Sequence, residues 1–309
     1  MTGERSKPYG LIGTITSDDI TWGSGRIREG LGGILYQASV LCGLGEDVSL
    51  ITNCSLEMAP WVGSVTADWA TLRRDGLRIV PGPPNRVHLE YPERGERIEV
   101  LDSAVPPLAA EEIIPYLSGL GMLLLALNSG FDIGLGDWRT VLREAPCPVW
   151  LDIHSLALEP ILGRRRRYRP LPEWRTWARG VTFLQANSQE AGCMLGDPAG
   201  VPSEEELAEL ARGAFDEGVR AVFLTLGTDG VLVAETGKIK RIVPSNAGLA
   251  LDTTGCGDVF AAGTIAGLGR GLSPFEAATF GAALASRAAS VSGIRETYEM
   301  AGACGLRNI

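Results

Sequence analysis

The sequence is punctuated by short apolar runs, each about the length of a strand: Tyr9 to Thr16, Val48 to Thr52, Met122 to Leu127, Pro148 to Ile153, Val181 to Ala186 and Ala221 to Leu226. Runs without polar alternation suit strands covered on both faces. Helical segments fall between and after them. The clearest is Ser203 to Phe215, where Ser203 and Glu206 form a capping box and Leu207, Leu210, Ala211, Ala214 and Phe215 make one apolar stripe. Ser273-Pro274-x-Glu276 opens another, running to about Ser290. Ala67 to Arg74 reads as a helix ending at Gly76. Such alternation predicts an α/β fold with a doubly wound, mainly parallel sheet flanked by helices, and the length suits one large domain or two small ones.

Composition narrows the function. The 309 residues are 45% apolar and 21% charged, ordinary for a globular protein with a sizeable core. A net charge of −9 argues against a sequence-independent nucleic-acid or anionic-membrane binder. The run Arg164 to Arg167 is a local exception and reads as a solvated loop or helix face. The six cysteines show no Cys-x-x-Cys and read as small core residues, which suits a reducing cytoplasm. We expect neither export nor membrane insertion, since no leader, twin-arginine signal or long apolar span is evident.

One stretch carries the chemistry: Leu251-Asp252-Thr253-Thr254-Gly255-Cys256-Gly257-Asp258, followed by an Ala/Gly-rich apolar run. Gly255 and Gly257 open backbone angles closed to other residues and leave no Cβ to block a ligand. A glycine turn feeding a helix presents unpaired N–H groups and a positive dipole end, a ready seat for phosphate. A carboxylate at Asp258 would repel that phosphate unless it had its own task. Accepting a proton from a hydroxyl, while the amides of Gly255, Cys256 and Gly257 hold the transferring phosphoryl group, is such a task. A plain helix start with a first-turn acid explains the same residues equally well.

Other polar groups fall at strand ends, where open α/β sheets gather ligands. Asp18 follows the first run, as a substrate contact or an Asx turn. Asp152 and His154 follow the fourth, and His154 reads as a structural histidine. Asn187-Ser188-Gln189-Glu190 follows the fifth; by itself it is a helix cap with its third-position partner. Thr225-Leu226-Gly227-Thr228-Asp229-Gly230 is, by itself, a β-turn. Val87 to Tyr91 and Arg97 to Leu101 form a hairpin around a turn at 92–96. No Gly-x-x-x-x-Gly-Lys-[Ser/Thr] occurs, so this is no P-loop kinase.

Asp252-Thr-Thr-Gly-Cys-Gly-Asp258 closely resembles the C-terminal signature of the PfkB/ribokinase family of carbohydrate and nucleoside kinases, with Cys256 where alanine is usual. Gly30-Leu31-Gly32-Gly33-Ile34-Leu35-Tyr36 resembles the family's N-terminal Gly-Gly signature, with Tyr36 where many members carry a sugar-binding asparagine. The resemblance implies a single ribokinase-like domain over 1–309, with a small β lid inserted at about 17–31 and 85–102 that closes over the substrate and excludes water. It implies an ATP-dependent kinase phosphorylating a hydroxyl of a small sugar or polyol, with Asp258 as general base. A nucleoside kinase of the same family is the alternative, and a non-catalytic nucleotide or sugar sensor the alternative of another class. Asp18, Gly32, Gly33, Tyr36 and Arg97 would contact substrate. Thr225, Gly227, Gly230, Gly257 and Asn187 would contact nucleotide. Asn187 and Glu190 would organise Mg²⁺ through water. Asp252 and Thr254 match positions that hold a monovalent cation, K⁺, in some members. The implied partners are ATP, a small-molecule substrate and, through lid strands, a second copy in a homodimer.

Overall fold

The computed structural model describes residues 7–93, 97–244 and 251–304. The centre of the predicted hairpin turn, 94–96, lies outside the described residues, as do both ends of the 1–309 domain. Fourteen strands are described: β1 Tyr9–Ile12, β2 Ile15–Trp22, β3 Ile27–Gly33, β4 Val48–Ser55, β5 Leu72–Arg73, β6 Leu77–Val80, β7 Asn85–Tyr91, β8 Ile98–Ser103, β9 Met122–Ala126, β10 Val149–Asp152, β11 Phe183–Asn187, β12 Ala221–Thr225, β13 Val231–Glu235 and β14 Lys238–Ile242. Ten form one sheet in the order β14-β13-β12-β11-β10-β9-β1-β4-β5, with β6 also paired to β4. Eight of them, from β12 through β1 to β4 and on to β5 and β6, run parallel; only β13 and β14 turn back antiparallel.

The central strands are apolar on both sides because helices cover both faces. One core layer holds the helices Leu35–Gly43, Cys256–Gly269, Pro274–Ala288 and Ile294–Cys304 against Trp150, Phe183 and Phe223. The opposite layer packs Leu135–Glu144, Trp174–Ala178, Ser188–Leu195 and Glu204–Asp216. This is the doubly wound α/β arrangement that the alternation predicts. From β1 the chain passes first to β4 and later returns to β9 on the other side, so the order reverses between β1 and β9. Ligands gather above the carboxyl ends of the strands at such a point.

The four remaining strands make a second sheet in the order β3-β2-β7-β8. Its inner face buries Ile20, Val87, Leu89 and Leu101. The expected first strand over 9–16 is therefore two strands in two sheets. Gly13 is the break: a Cβ there would lie 2.6 Å from Asn128 Oδ1 and 2.7 Å from the Ala126 carbonyl. Asp18 and Asp19 consequently sit within β2 and not in a loop after it.

The helix expected over 67–74 is absent. The helix lies earlier, at Ala59–Val65, started by a proline at its second position. Residues 66–71 then turn back on themselves, burying Trp69, so that β5 can join β4. The Arg164–Arg167 expectation also changes at one position. Arg166 is buried, donating to Glu99 Oε1 at 3.2 Å and to the Glu159 carbonyl at 2.9 Å, while its neighbours stay exposed. This loop runs beside β8 through the Val100–Arg165 bridge.

Candidate active site

Gly255 caps the helix Cys256–Gly269 from the left-handed region, at φ 76°, with no side-chain cap on the amides that follow. Alanine would be strained there twice over: its Cβ would also lie 2.5 Å from the Tyr36 ring. Asp258 stands in the helix's first turn and is 7% exposed. The helix is set deep by small residues, since a Cβ on Gly263 would come within 2.9 Å of Gly281 on the neighbouring helix. The Cys256 amide already donates to the Thr253 carbonyl at 3.2 Å, so of the three amides expected to face a phosphoryl group it is engaged.

Two cavities meet at this turn. Thr254, Gly255, Asp258, Arg97 and His154 line both. The first continues over the ends of β10, β11 and β12 to Asp152, Asn187, Glu190 and Thr225. The second continues under the small sheet to Asp18, Gly33, Tyr36, Glu99 and Asn128. Asp258 thus stands at the junction between one cavity at the strand ends and another beneath the small sheet.

The site concentrates buried acid. Burial pushes the Asp258 carboxyl up to about 7, with the Asp18 and Glu190 charges adding to it and a hydrogen bond from Gln37 opposing it. That bond, Gln37 Nε2 to Asp258 Oδ1, is 2.5 Å long. Burial likewise pushes Glu190 up to about 7 and Asp18 to about 6, and raises Asp152 well above the usual carboxylate range. His154 occupies a left-handed backbone, φ 41°, uncommon outside glycine. Its backbone amide serves Asp152 and Glu190, and burial pushes its imidazole down to about 3, so the ring is neutral.

Asn187 and Glu190 form the capping box that their spacing suggests. Glu190 Oε2 accepts from the Asn187 amide at 2.8 Å and Oε1 from its side chain at 2.6 Å. The carboxylate lines the first cavity all the same. Three buried acids around one cavity, with Arg97 as the nearby cation, suit a divalent cation arriving with its own water shell. Among the described residues no cluster of three His, Cys, Asp or Glu side chains could hold a metal directly.

The remaining expected residues divide. Gly32 lies beneath Asp18, and a side chain there would collide with that carboxylate. Gly33, at φ 61°, passes close over the Thr14 carbonyl. Arg97 opens to both cavities and is held by Glu99 Oε2 at 2.9 Å. Tyr36 is buried with its ring beneath Gly255 and its hydroxyl accepting from Arg28 at 3.1 Å. Gly227 and Gly230 shape the turn after β12, and the cavity wall there is Thr225. Asp252 is buried beside the turn, off both cavities' walls. Sequence reasoning missed Gln37, Gln185 and Asn128. Gln185 Nε2 ties the Gly257 carbonyl at 3.1 Å to Asp152 at 3.4 Å. Asn128 is buried on the second cavity with neither side-chain atom partnered. A lone amide inside an apolar helix or strand, or just after one, gives no signal of such a role.

Residues 164–300 match the pfkB family of carbohydrate kinases. A ribokinase from Haemophilus influenzae is 32% identical over 117 residues. In these segments the chain is similar to the PfkB/ribokinase family. The aligned segment spans 38% of this chain and only 37% of the Haemophilus ribokinase. The likeness in fold runs much further. A pyrophosphate-dependent kinase in the ribokinase family, solved as a sulfate complex, superposes with a TM-score of 0.78 at 19% identity, over 94% of this chain and 99% of that one. Arabidopsis thaliana ribokinase, complexed with ribose and ATP, gives 0.76 at 19% identity, over 96% and 99%. The expected ribokinase-like sheet is therefore present. No helix among the described residues is long and apolar enough to cross a membrane.

Proposed function

We propose that the protein is a kinase that transfers the terminal phosphoryl group of ATP to a hydroxyl of a small sugar or polyol. The observation that carries this is the position of Asp258, a buried acid on a glycine turn where two cavities meet. A carboxyl held near neutrality can take a proton at physiological pH, where an ordinary one is too weak a base. Gln37 fixes one carboxylate oxygen at 2.5 Å, which leaves the other to face an acceptor hydroxyl. The amides of Gly255 and Gly257, with the helix dipole behind them, would face the charge that develops on phosphoryl oxygens, while that of Cys256 stays on the Thr253 carbonyl. Mg²⁺-ATP, when bound, supplies the phosphoryl group and neutralises its charge. Asn187, Glu190 and Thr225 would hold its phosphate end in the first cavity, Glu190 through water.

The acceptor would lie in the second cavity. Asp18, Asn128, Arg97 and Glu99 offer donors and acceptors together, against an apolar wall of Val87 and Leu89. Such a mixture suits hydroxyls in several directions better than it suits a planar base. The aromatic rings nearby are already used: Trp22 and Tyr91 stack on each other at 6.0 Å, and Tyr36 lies under Gly255. This favours a sugar or polyol over a nucleoside. The small sheet forms the cavity's roof, and we assign it the role of a lid that keeps water from competing for the phosphoryl group.

The test is ADP release by purified protein with ATP and Mg²⁺ across sugars, inositols and nucleosides, with Asp258→Asn in parallel. One sugar or polyol should stimulate the native protein and not the variant. A response confined to nucleosides would overturn the substrate class. Absence of ATP binding would overturn the kinase reading.

A further inference from the structure

Arg28 of β3 reaches out of the small sheet into the base of the glycine turn. Its Nη2 lies 3.6 Å from Asp252 Oδ2, with the two side chains 16% and 1% exposed. The same Nη2 donates to the Tyr36 hydroxyl at 3.1 Å. A Cβ on Gly293 would lie 3.1 Å from Nη1, so the guanidinium also rests against the turn that follows the helix Pro274–Ala288. Asp252 stitches these two turns together. Its Oδ1 accepts from the Thr254 amide at 3.0 Å and its Oδ2 from the Ser292 hydroxyl at 2.7 Å. The amides of Leu251 and Asp252 both donate to the Ala289 carbonyl, at 2.7 and 3.1 Å.

This is where the family resemblance expects a monovalent cation on Asp252 and Thr254, and the residues present do not fit one. The Thr254 hydroxyl pairs with the Tyr91 hydroxyl at 3.1 Å. Both Asp252 oxygens are taken, and a fixed positive charge already lies beside them. A guanidinium is always charged and spreads its donors in a plane, so it can serve a carboxylate and two turns at once.

We propose that Arg28 replaces the monovalent cation: it is a positioning residue that neutralises Asp252 and braces the turn carrying Gly255 to Asp258. The protein then works without K⁺. The charge comes from a strand of the small sheet, so the turn is fully braced only when that sheet is seated. The proposal rests on reading the turn as the phosphoryl site, but its test does not depend on turnover alone.

The native protein, Arg28→Ala and Arg28→Lys are compared in chlorides of K⁺, Na⁺ and tetramethylammonium at constant ionic strength. Thermal midpoint and acceptor-stimulated ADP release are read for each. The native protein should be indifferent to the cation by both readouts. Arg28→Ala should lose roughly tenfold or more in turnover in tetramethylammonium, since the donors of an anion hole depend on their placement. K⁺ should restore much of that loss and raise the variant's thermal midpoint in a saturable way. Arg28→Lys should fall between. Saturable stabilisation of the native protein by K⁺ overturns the proposal, and needs no variant to fold. Equal loss in every salt, with no K⁺-dependent midpoint in Arg28→Ala, overturns it too. A K⁺-dependent midpoint confined to Arg28→Ala, with no turnover from any form, would sustain the proposal while removing the kinase reading.

Discussion

Asp258→Asn should separate stability from activity, and in a pH-dependent way. The carboxyl is 7% exposed, and burial pushes it from the ordinary 3.8 up to about 7. The folded chain therefore holds a proton there more tightly than the unfolded chain. Stability from this group is fully present below the unfolded value and is lost as pH rises through about 7. Keeping the side chain ionised above that point costs on the order of 4 kcal/mol if nothing relaxes. Asparagine keeps the shape, keeps a partner for Gln37 and carries no charge. If relaxation leaves only a quarter of the cost, the gain is about 1 kcal/mol, or a rise in Tm of about 2 °C for a chain of this size. The assay is thermal unfolding of both forms at pH 8.5 and pH 5, with turnover measured alongside. The variant should be the more stable at pH 8.5, with a smaller advantage at pH 5 that vanishes only below the ordinary carboxylate value of 3.8. Its turnover at pH 8.5 should fall by roughly two to four decades, the usual share of general base catalysis. A variant destabilised equally at both pH values would refute the reasoning, because the carboxylate would then be a satisfied structural group.

Three further outcomes follow from the same geometry. Gln37→Leu removes the hydrogen bond that opposes the rise in Asp258, so the acidic limb of the pH–rate profile, centred near 7 in the native protein, should move about one pH unit upward. An unmoved limb would dissociate that limb from Asp258. Glu190→Gln should raise the Mg²⁺ concentration needed for half-maximal turnover, and an unchanged Mg²⁺ titration would remove Glu190 from the metal's surroundings. Gly255→Ala should cost about 1–2 kcal/mol from its left-handed backbone alone, plus the collision with Tyr36. Tyr36→Ala should relieve the second part, so a double-mutant cycle read by chemical denaturation should show coupling; strict additivity would contradict the contact.

The sheet was legible because its evidence is local. Both-faced apolar runs such as Met122 to Leu127 can only be buried strands, and capping boxes at Ser203 and Ser273 mark their helices without help from tertiary structure. The candidate site was legible where glycine or a strand end betrays it, at Gly255 and at Asn187 to Glu190. What stayed hidden depends on pairing between distant segments. Nothing near Gly13 announces that the chain changes sheets there, since the crowding comes from Ala126 and Asn128. Arg166 looks like its three neighbours until Glu99 of β8 arrives beside it. Tyr36 lines the second cavity, but nothing near it in the sequence announces that its ring also packs under a turn more than two hundred residues away. Gln37 is one polar residue in an apolar helix until Asp258 is brought to within 2.5 Å of it.

We assign Asp258 a place between a phosphoryl donor and an acceptor hydroxyl. The most direct test takes an acceptor that stimulates ADP release and follows the reaction by phosphorus NMR together with ADP formation, in native protein and in Asp258→Asn. A new phosphate ester should appear on the acceptor in step with ADP in the native protein and be suppressed in the variant. Free phosphate in place of the ester, or ester formation at an undiminished rate by Asp258→Asn, would contradict the assignment.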